Sequence, residues 1–206
     1  MARRTKEDAE DTRQQLLQAA VRVFAEKGVS RSSLQDIAEA AGTTRGAIYW
    51  HFKNKADLFN ALMDDAILPM EQAMQRIGHD PSQDPLTELE QALLQTLRDI
   101  ATNESTRAIF EIATLKVEYV AELRGVQVRH IQAYADGTRE IGRSLQEAAV
   151  RRGVVLPMPF EMAAQGLHAL MVGLIHSWML APKVFDLVQV SQAAIRAHLL
   201  GLGFRP

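Results

Sequence analysis

Arg45, Tyr49, His51 and Lys55 lie within three turns of a helix, with Thr43 and Thr44 just ahead of them. All are hydrogen-bond donors on side chains of graded reach. An arginine presents two N–H groups that match the O6 and N7 acceptors of guanine. Threonine, tyrosine, histidine and lysine suit phosphate oxygens, which set register on a duplex without reading its sequence. Gly46 and Ala47 keep the same stretch slim enough for a major groove, while Ile48 and Phe52 give it an apolar side to bury. The chemistry is recognition, not bond-making.

Such a stretch must be held by neighbours, and residues 12–60 supply them. A first helix ends near Gly28, a residue suited to a left-handed cap. Ser33 then caps a second helix, with Asp36 adding negative charge to its first turn. Leu34, Ile37, Ala38 and Ala41 form that helix's inner face, and Gly42-Thr43 makes a tight turn. Thr44 or Thr43 caps a short third helix, and Asn54 with Asp57 opens a fourth. Two short helices around a glycine turn, propped by a longer one, make a helix-turn-helix. Tyr49 to Phe52 also reads as an aromatic corner of a core. Phe52 fits that role best, Trp50 fits either, and Tyr49 and His51 fit DNA contact.

The run Leu34-Gln35-Asp36-Ile37-Ala38-Glu39-Ala40-Ala41-Gly42-Thr43-Thr44-Arg45-Gly46-Ala47-Ile48-Tyr49-Trp50-His51-Phe52-Lys53-Asn54-Lys55 resembles the signature of the TetR family of transcriptional regulators. Its Arg-Gly-Ala-Ile-Tyr-Trp-His-Phe core is similar to the AcrR-like branch, repressors of multidrug efflux pumps. The likeness is dense over residues 10–60 and one of layout beyond. It implies an all-α fold of about nine helices, with a DNA-binding domain (1–55) and a larger ligand-binding and dimerisation domain (56–206). It also implies a homodimer, a palindromic double-stranded operator and a small hydrophobic effector. The DNA residues it carries over are Ser33, Thr44, Arg45, Gly46, Tyr49, His51 and Lys55. Thr43 departs from the usual apolar residue in the turn and could add a phosphate contact. By layout, the ligand would meet Met63, Ile67, Met70, Leu93, Leu97, Ile109, Phe110, Ala113, Thr114, Ile141, His168, Met171 and Trp178, though each also suits a plain core.

In the body, Ala169, Gly173 and Ser177 recur every four residues, with Gly166 nearby, and a following helix carries Ile195 and Leu199. Small residues let helices approach closely, in a core or at a subunit seam. A two-fold protein reads two half-sites, so the DNA reading favours a dimer interface formed by these six. Helical stripes run through Leu16–Phe24, Leu86–Ile100 and Ile131–Ala148, broken by loop signals at 78–85, 153–159 and 181–183. Pro69 falls inside the fourth helix and is expected to kink or end it.

Net charge is −2, but residues 1–60 hold ten Lys/Arg against eight Asp/Glu, a mildly basic head on an acidic body. Arg3, Arg4 and Lys6 suit either a phosphate-touching arm or a solvated terminus. The chain has no cysteine, which excludes disulfides, thiolate metal sites and a cysteine nucleophile. No Glu-x-x-His pair, zinc helix, phosphate loop or nucleophile elbow occurs, so neither an enzyme nor a cofactor is expected. The start lacks an apolar signal core, and the apolar run 163–181 is broken by polar residues. A cytoplasmic protein without a membrane span is expected. An activator with the same head, and a ligand-binding scaffold without DNA function, stay open as alternatives.

Overall fold

The computed structural model describes residues 6–205. Arg3 and Arg4 lie outside the described residues, as does the Lys6 side chain. Among the described residues there are nine α-helices and no strand: α1 (Lys6–Lys27), α2 (Leu34–Ala40), α3 (Arg45–His51), α4 (Lys55–Gln75), α5 (Pro85–Thr102), α6 (Glu104–Leu115), α7 (Arg124–Arg152), α8 (Phe160–Leu180) and α9 (Leu187–Gly201). A short 3-10 turn, Ala121–Leu123, precedes α7. No helix among them is long and apolar enough to cross a membrane.

The chain packs into two compact units. The first takes residues up to Ala66 and Ala108–His130; the second takes Ile67–Arg107 and Ile131 onward. In the first, α1 packs on α2 and α2 on α3. Leu16, Ala19, Ala20 and Phe24 of α1 meet this core with Ile37 and Ala38 of α2, and all are fully buried. Ile48 from α3 and Leu58 from α4 complete it, and the rings of Phe24 and Phe59 lie 6.0 Å apart. Burying a leucine or isoleucine stabilises by roughly 1.5–3 kcal/mol, so these few side chains hold the small head together.

In the second unit α5 packs on α9 and α8 on α9. Leu89, Leu97 and Ile100 of α5, Ile141 and Leu145 of α7, Ala163, Ala164 and Leu167 of α8, and Ile195 of α9 are buried. The expected stripe on α7 is buried from Ile141 to Ala148, but Ile131 at its start is 61% exposed. Pro69 does not end α4, which runs on to Gln75. Both Pro69 and Asp65, whose carbonyl loses its donor, are exposed, so water can satisfy that oxygen.

Three arginines of α7 tie down the α4–α5 loop. Arg143 donates to the Ile77 carbonyl at 3.0 Å and Arg151 to the Gln83 carbonyl at 2.6 Å. Arg152 grips Asp84 with two nitrogens, at 3.0 and 2.7 Å. Asp84 also caps α5, accepting from the Thr87 N–H at 2.9 Å. The Arg152 guanidinium first, and the Thr87 donors after it, hold the Asp84 carboxyl at about 2, below its ordinary 3.8. Asp84→Ala should therefore lower stability at neutral pH by ~1–2 kcal/mol, the usual cost of a lost cap. The depressed carboxyl stabilises the fold above its ordinary value, and that contribution disappears as pH falls through about 2. Urea unfolding of parent and variant should show curves that separate at pH 7 and converge between pH 4 and 2.

Candidate nucleic-acid interface

The reading helix is only as well placed as α2, and α2 is fixed at both ends. At its start Ser33 and Asp36 form a reciprocal capping box: Asp36 N–H donates to Ser33 Oγ at 3.1 Å, and Ser33 N–H to Asp36 Oδ2 at 2.8 Å. Lys27 of α1 pairs with the same carboxylate. Hydrogen bonds from Lys27 and then Ser33 hold the Asp36 carboxyl at about 2. At the other end Arg22 of α1 donates to the Ala40 carbonyl at 3.2 Å. Gly42 then turns the chain with φ +66°, a conformation that would strain any larger residue.

Thr44 caps α3, its hydroxyl accepting from the Ala47 N–H at 3.2 Å. Of the seven residues of α3 only Ile48 is buried. Phe52, the C-cap, is buried as the sequence suggested, with the Arg13 guanidinium 5.8 Å from its ring. Thr44, Arg45, Gly46, Tyr49 and Trp50 are exposed. The Arg45 guanidinium lies 5.5 Å from the Tyr49 ring centroid, a cation–π contact that limits its swing without covering it. A Cβ at Gly46 would meet nothing nearer than Thr44 Oγ1 at 3.9 Å. The chain's own packing does not call for glycine there, which suits an outer surface approached by another molecule.

The remaining DNA candidates divide. Ser33 is exposed, but its hydroxyl serves the capping box. Thr43 is half-buried in the turn, its N–H on the Ala38 carbonyl. His51 is half-buried at the end of α3, its ring edge-on to Trp50 at 4.6 Å. Lys55 corrects an expectation: its side chain is only 4% exposed, and its ammonium donates to the carbonyls of Ser32 at 2.7 Å and Ser30 at 3.0 Å. It faces the protein, not a phosphate. Lys53, two residues earlier, is exposed, and so is Trp50, at 72%. Lys53 was not among the expected contacts, and Trp50 fitted core and DNA equally. The available signal was geometric: a seven-residue helix with Ile48 inward leaves Trp50 outward.

In the body, Met63 of α4 and Ile109, Phe110, Ala113 and Thr114 of α6 belong to the first unit. Ile67, Met70, Leu93, Leu97, Ile141, His168, Met171 and Trp178 belong to the second. Leu97 is fully buried and Trp178 is 7% exposed, while Ile67, Met70 and His168 are half-buried. His168 stacks on Tyr134 at 4.2 Å and its Nδ1 lies 2.7 Å from Thr138 Oγ1. The same Thr138 hydroxyl also lies 2.8 Å from the Tyr134 carbonyl, one turn earlier on α7. Burial holds the His168 pKa below its ordinary value, which keeps the ring neutral at pH 7.

Gly166, Ala169, Gly173 and Ser177 lie exposed along α8. Ile195 and Leu199 do not join them. They are 0% and 5% exposed, turned into the chain's own core, which corrects their place at a subunit interface. The exposed apolar residues are instead Met162, Val172 and Leu180 on α8 and Val190 and Leu200 on α9.

A capped, slim, donor-bearing helix set on a glycine turn defines a DNA-binding regulator of the helix-turn-helix class. Residues 16–62 match the family described as "Bacterial regulatory proteins, tetR family", and residues 84–203 match "MAATS-type transcriptional repressor, C-terminal region". The chain belongs to the TetR family of bacterial transcriptional regulators. It is 40% identical over 190 residues to the HTH-type transcriptional regulator TtgR of Pseudomonas putida, spanning 91% of this chain and 90% of that one. The crystal structure of NalD, the secondary repressor of the MexAB-OprM multidrug efflux pump in Pseudomonas aeruginosa, aligns with a TM-score of 0.85 at 37% identity, over 96% of this chain and 98% of that one. The complex of triclosan with SmeT, from Stenotrophomonas maltophilia, aligns at 0.83 and 31% identity, over 92% and 90%. These relatives are regulators, and the all-α fold with an N-terminal helix-turn-helix expected from the sequence is the fold observed.

Gly46 gives the sharpest check on this surface. Gly46→Ala should leave stability unchanged or raise it by up to ~1 kcal/mol, because alanine favours helix. Gly46→Leu should fold equally well yet bind DNA roughly tenfold more weakly or worse, a loss of ~1.4 kcal/mol or above. Thermal melts beside mobility shifts separate the two effects. Undiminished binding by Gly46→Leu would remove α3 from the groove.

Proposed function

We propose that this chain represses a multidrug efflux operon and leaves a palindromic operator when a small hydrophobic effector binds. The exposed Arg45, steadied on Tyr49, carries the reading: it is placed to donate to a guanine edge once α3 enters the groove. Thr44, Tyr49, Trp50 and Lys53 then suit the flanking phosphates and sugars, with Thr43 and His51 beside them. The work divides between a reading head, residues 1–55, and a ligand-binding and dimerising body, residues 56–206. The chain is not an enzyme, and it acts in the cytoplasm, where its DNA is.

Two copies pair through α8 and α9. Met162, Gly166, Ala169, Gly173 and Leu180 recur at steps of three, four and seven along exposed α8, a ridge suited to a close helix–helix seam. Val190 and Leu200 extend it on α9. Such a pair offers two heads to half-sites ~34 Å apart. The effector would meet the candidates of the second unit, which are apolar apart from His168, whose imidazole suits a polar group on the ligand. The likeness to NalD and to the SmeT–triclosan complex supports an efflux operon and an aromatic, apolar effector.

The test starts from duplexes selected by the protein from a random pool. A palindromic consensus, bound as a dimer and released by triclosan, is the expected result; selection of no consensus would end the proposal. Arg45→Ala should cost ~1–3 kcal/mol on that operator and relax the preference at one base pair of each half-site. Ala169→Arg should give a folded monomer by sedimentation velocity and lose cooperative operator binding. A dimer persisting in Ala169→Arg places the seam elsewhere.

A further inference from the structure

Lys55 is the first residue of α4, and a buried cation there needs a reason. The positive end of the helix dipole disfavours it, and so does loss of water. The compensation is local. The ammonium has three N–H donors, and three acceptors surround it: Ser32 O at 2.7 Å, Ser30 O at 3.0 Å and Glu122 Oε2 at 3.3 Å. Two hydrogen bonds and one ion pair, all from the chain itself, hold the ammonium.

Those acceptors come from two distant stretches of chain. Ser30 and Ser32 form the turn that leads into Ser33, the cap of α2. Glu122 lies in the 3-10 turn before α7. The segment 116–122 touches the same turn twice more: Val29 N–H donates to Lys116 O at 3.1 Å, and Ser30 Oγ to Glu118 Oε2 at 3.0 Å. Ser32 is itself buried, its hydroxyl on the Val29 carbonyl at 2.9 Å. One ammonium thus joins the start of α2, the start of α4 and a turn 67 residues further on. The reading helix is slung between α2 and α4, so fixing both fixes α3.

We infer that Lys55, with Glu122 as its ion-pair partner, is a positioning residue for operator recognition, acting through the placement of α3 and not by touching DNA. This rests on the operator-binding reading above. A positioning residue and a phosphate contact differ in what they do to salt dependence and to specificity. Removing one phosphate contact lowers the slope of log K against log salt by ~0.9. A misplaced reading helix leaves that slope alone and spoils binding to the operator more than to unrelated DNA. Arginine keeps the charge, but its planar fork does not reproduce the three-acceptor geometry of an ammonium.

The experiment compares the full-length parent, Lys55→Met, Lys55→Arg and Glu122→Gln on the selected operator and on an unrelated duplex across a salt series. Expected for Lys55→Met is an operator affinity about tenfold lower or worse, with unrelated-duplex affinity within about twofold and the slope unchanged. Lys55→Arg does not restore operator binding. Glu122→Gln shows the same pattern at smaller size, a few-fold loss, because Glu122 is 61% exposed and its ion pair is partly screened. A slope reduced by ~0.9, or rescue by arginine, makes Lys55 a phosphate contact and overturns the inference. Equal losses on both duplexes overturn it in favour of a purely stabilising role. If Lys55→Met does not fold, Glu122→Gln decides alone, and unaltered operator affinity in that variant overturns it. A parent that binds no duplex removes the operator reading itself, a failure visible before any variant is made.

Discussion

Alpha3 has seven residues and buries one of them, Ile48. A helix that short does not persist in water by itself, since helices below ~12 residues are marginal even in favourable sequences. Its shape and direction are imposed from outside: by the seat of Ile48, by the Thr44 cap, and by the two helices it hangs between. The surface proposed to meet DNA therefore has almost no structural duties of its own. Arg45, Gly46, Tyr49 and Trp50 are free to vary with the sequence being read, because the frame is built elsewhere. That frame uses polar contacts for placement, with Arg22 and Lys27 on α2 and Lys55 on the turn before it, and uses the packing of Phe24, Ile37 and Leu58 for stability.

Most of that frame was legible in the sequence, for a physical reason. Caps and glycine turns are local, so Ser33 with Asp36, Thr44, and Gly28 and Gly42 announce themselves within a few residues. The apolar stripes of α1 and α5 fixed their inward faces equally well. Failures came where the deciding partner was remote. A lysine after a helix-turn-helix reads as a phosphate contact until Ser30, Ser32 and Glu122 are seen around its ammonium. Ile195 and Leu199 read as interface residues because α9 is apolar on more than one side. Periodicity locates a face but not the surface it meets. Pro69 was expected to kink or end α4; it does not end it, and nothing local showed that Asp65 would be left facing water.

The two packed units do not follow the chain in order. The first takes in Ala108–His130 beside the N-terminal helices, so parts of α6 and α7 belong with the head. Contacts within that unit bear this out: Lys116, Glu118 and Glu122 reach the turn before α2, and Arg129 pairs with Asp64 of α4 at 2.8 Å. A contiguous excision of the N-terminal helices would strip the head of these partners.

The chain has two tryptophans, and the structure sets them in opposite surroundings. Trp50 is 72% exposed on the reading helix, and Trp178 is 7% exposed on α8 in the other unit. A solvated indole emits at longer wavelength than one enclosed in apolar side chains. The intrinsic fluorescence of the unlabelled protein thus splits into a red component from the head and a blue one from the body. Quenching of the first and of the second can be followed separately, so events in either half carry their own spectral signature without any attached dye.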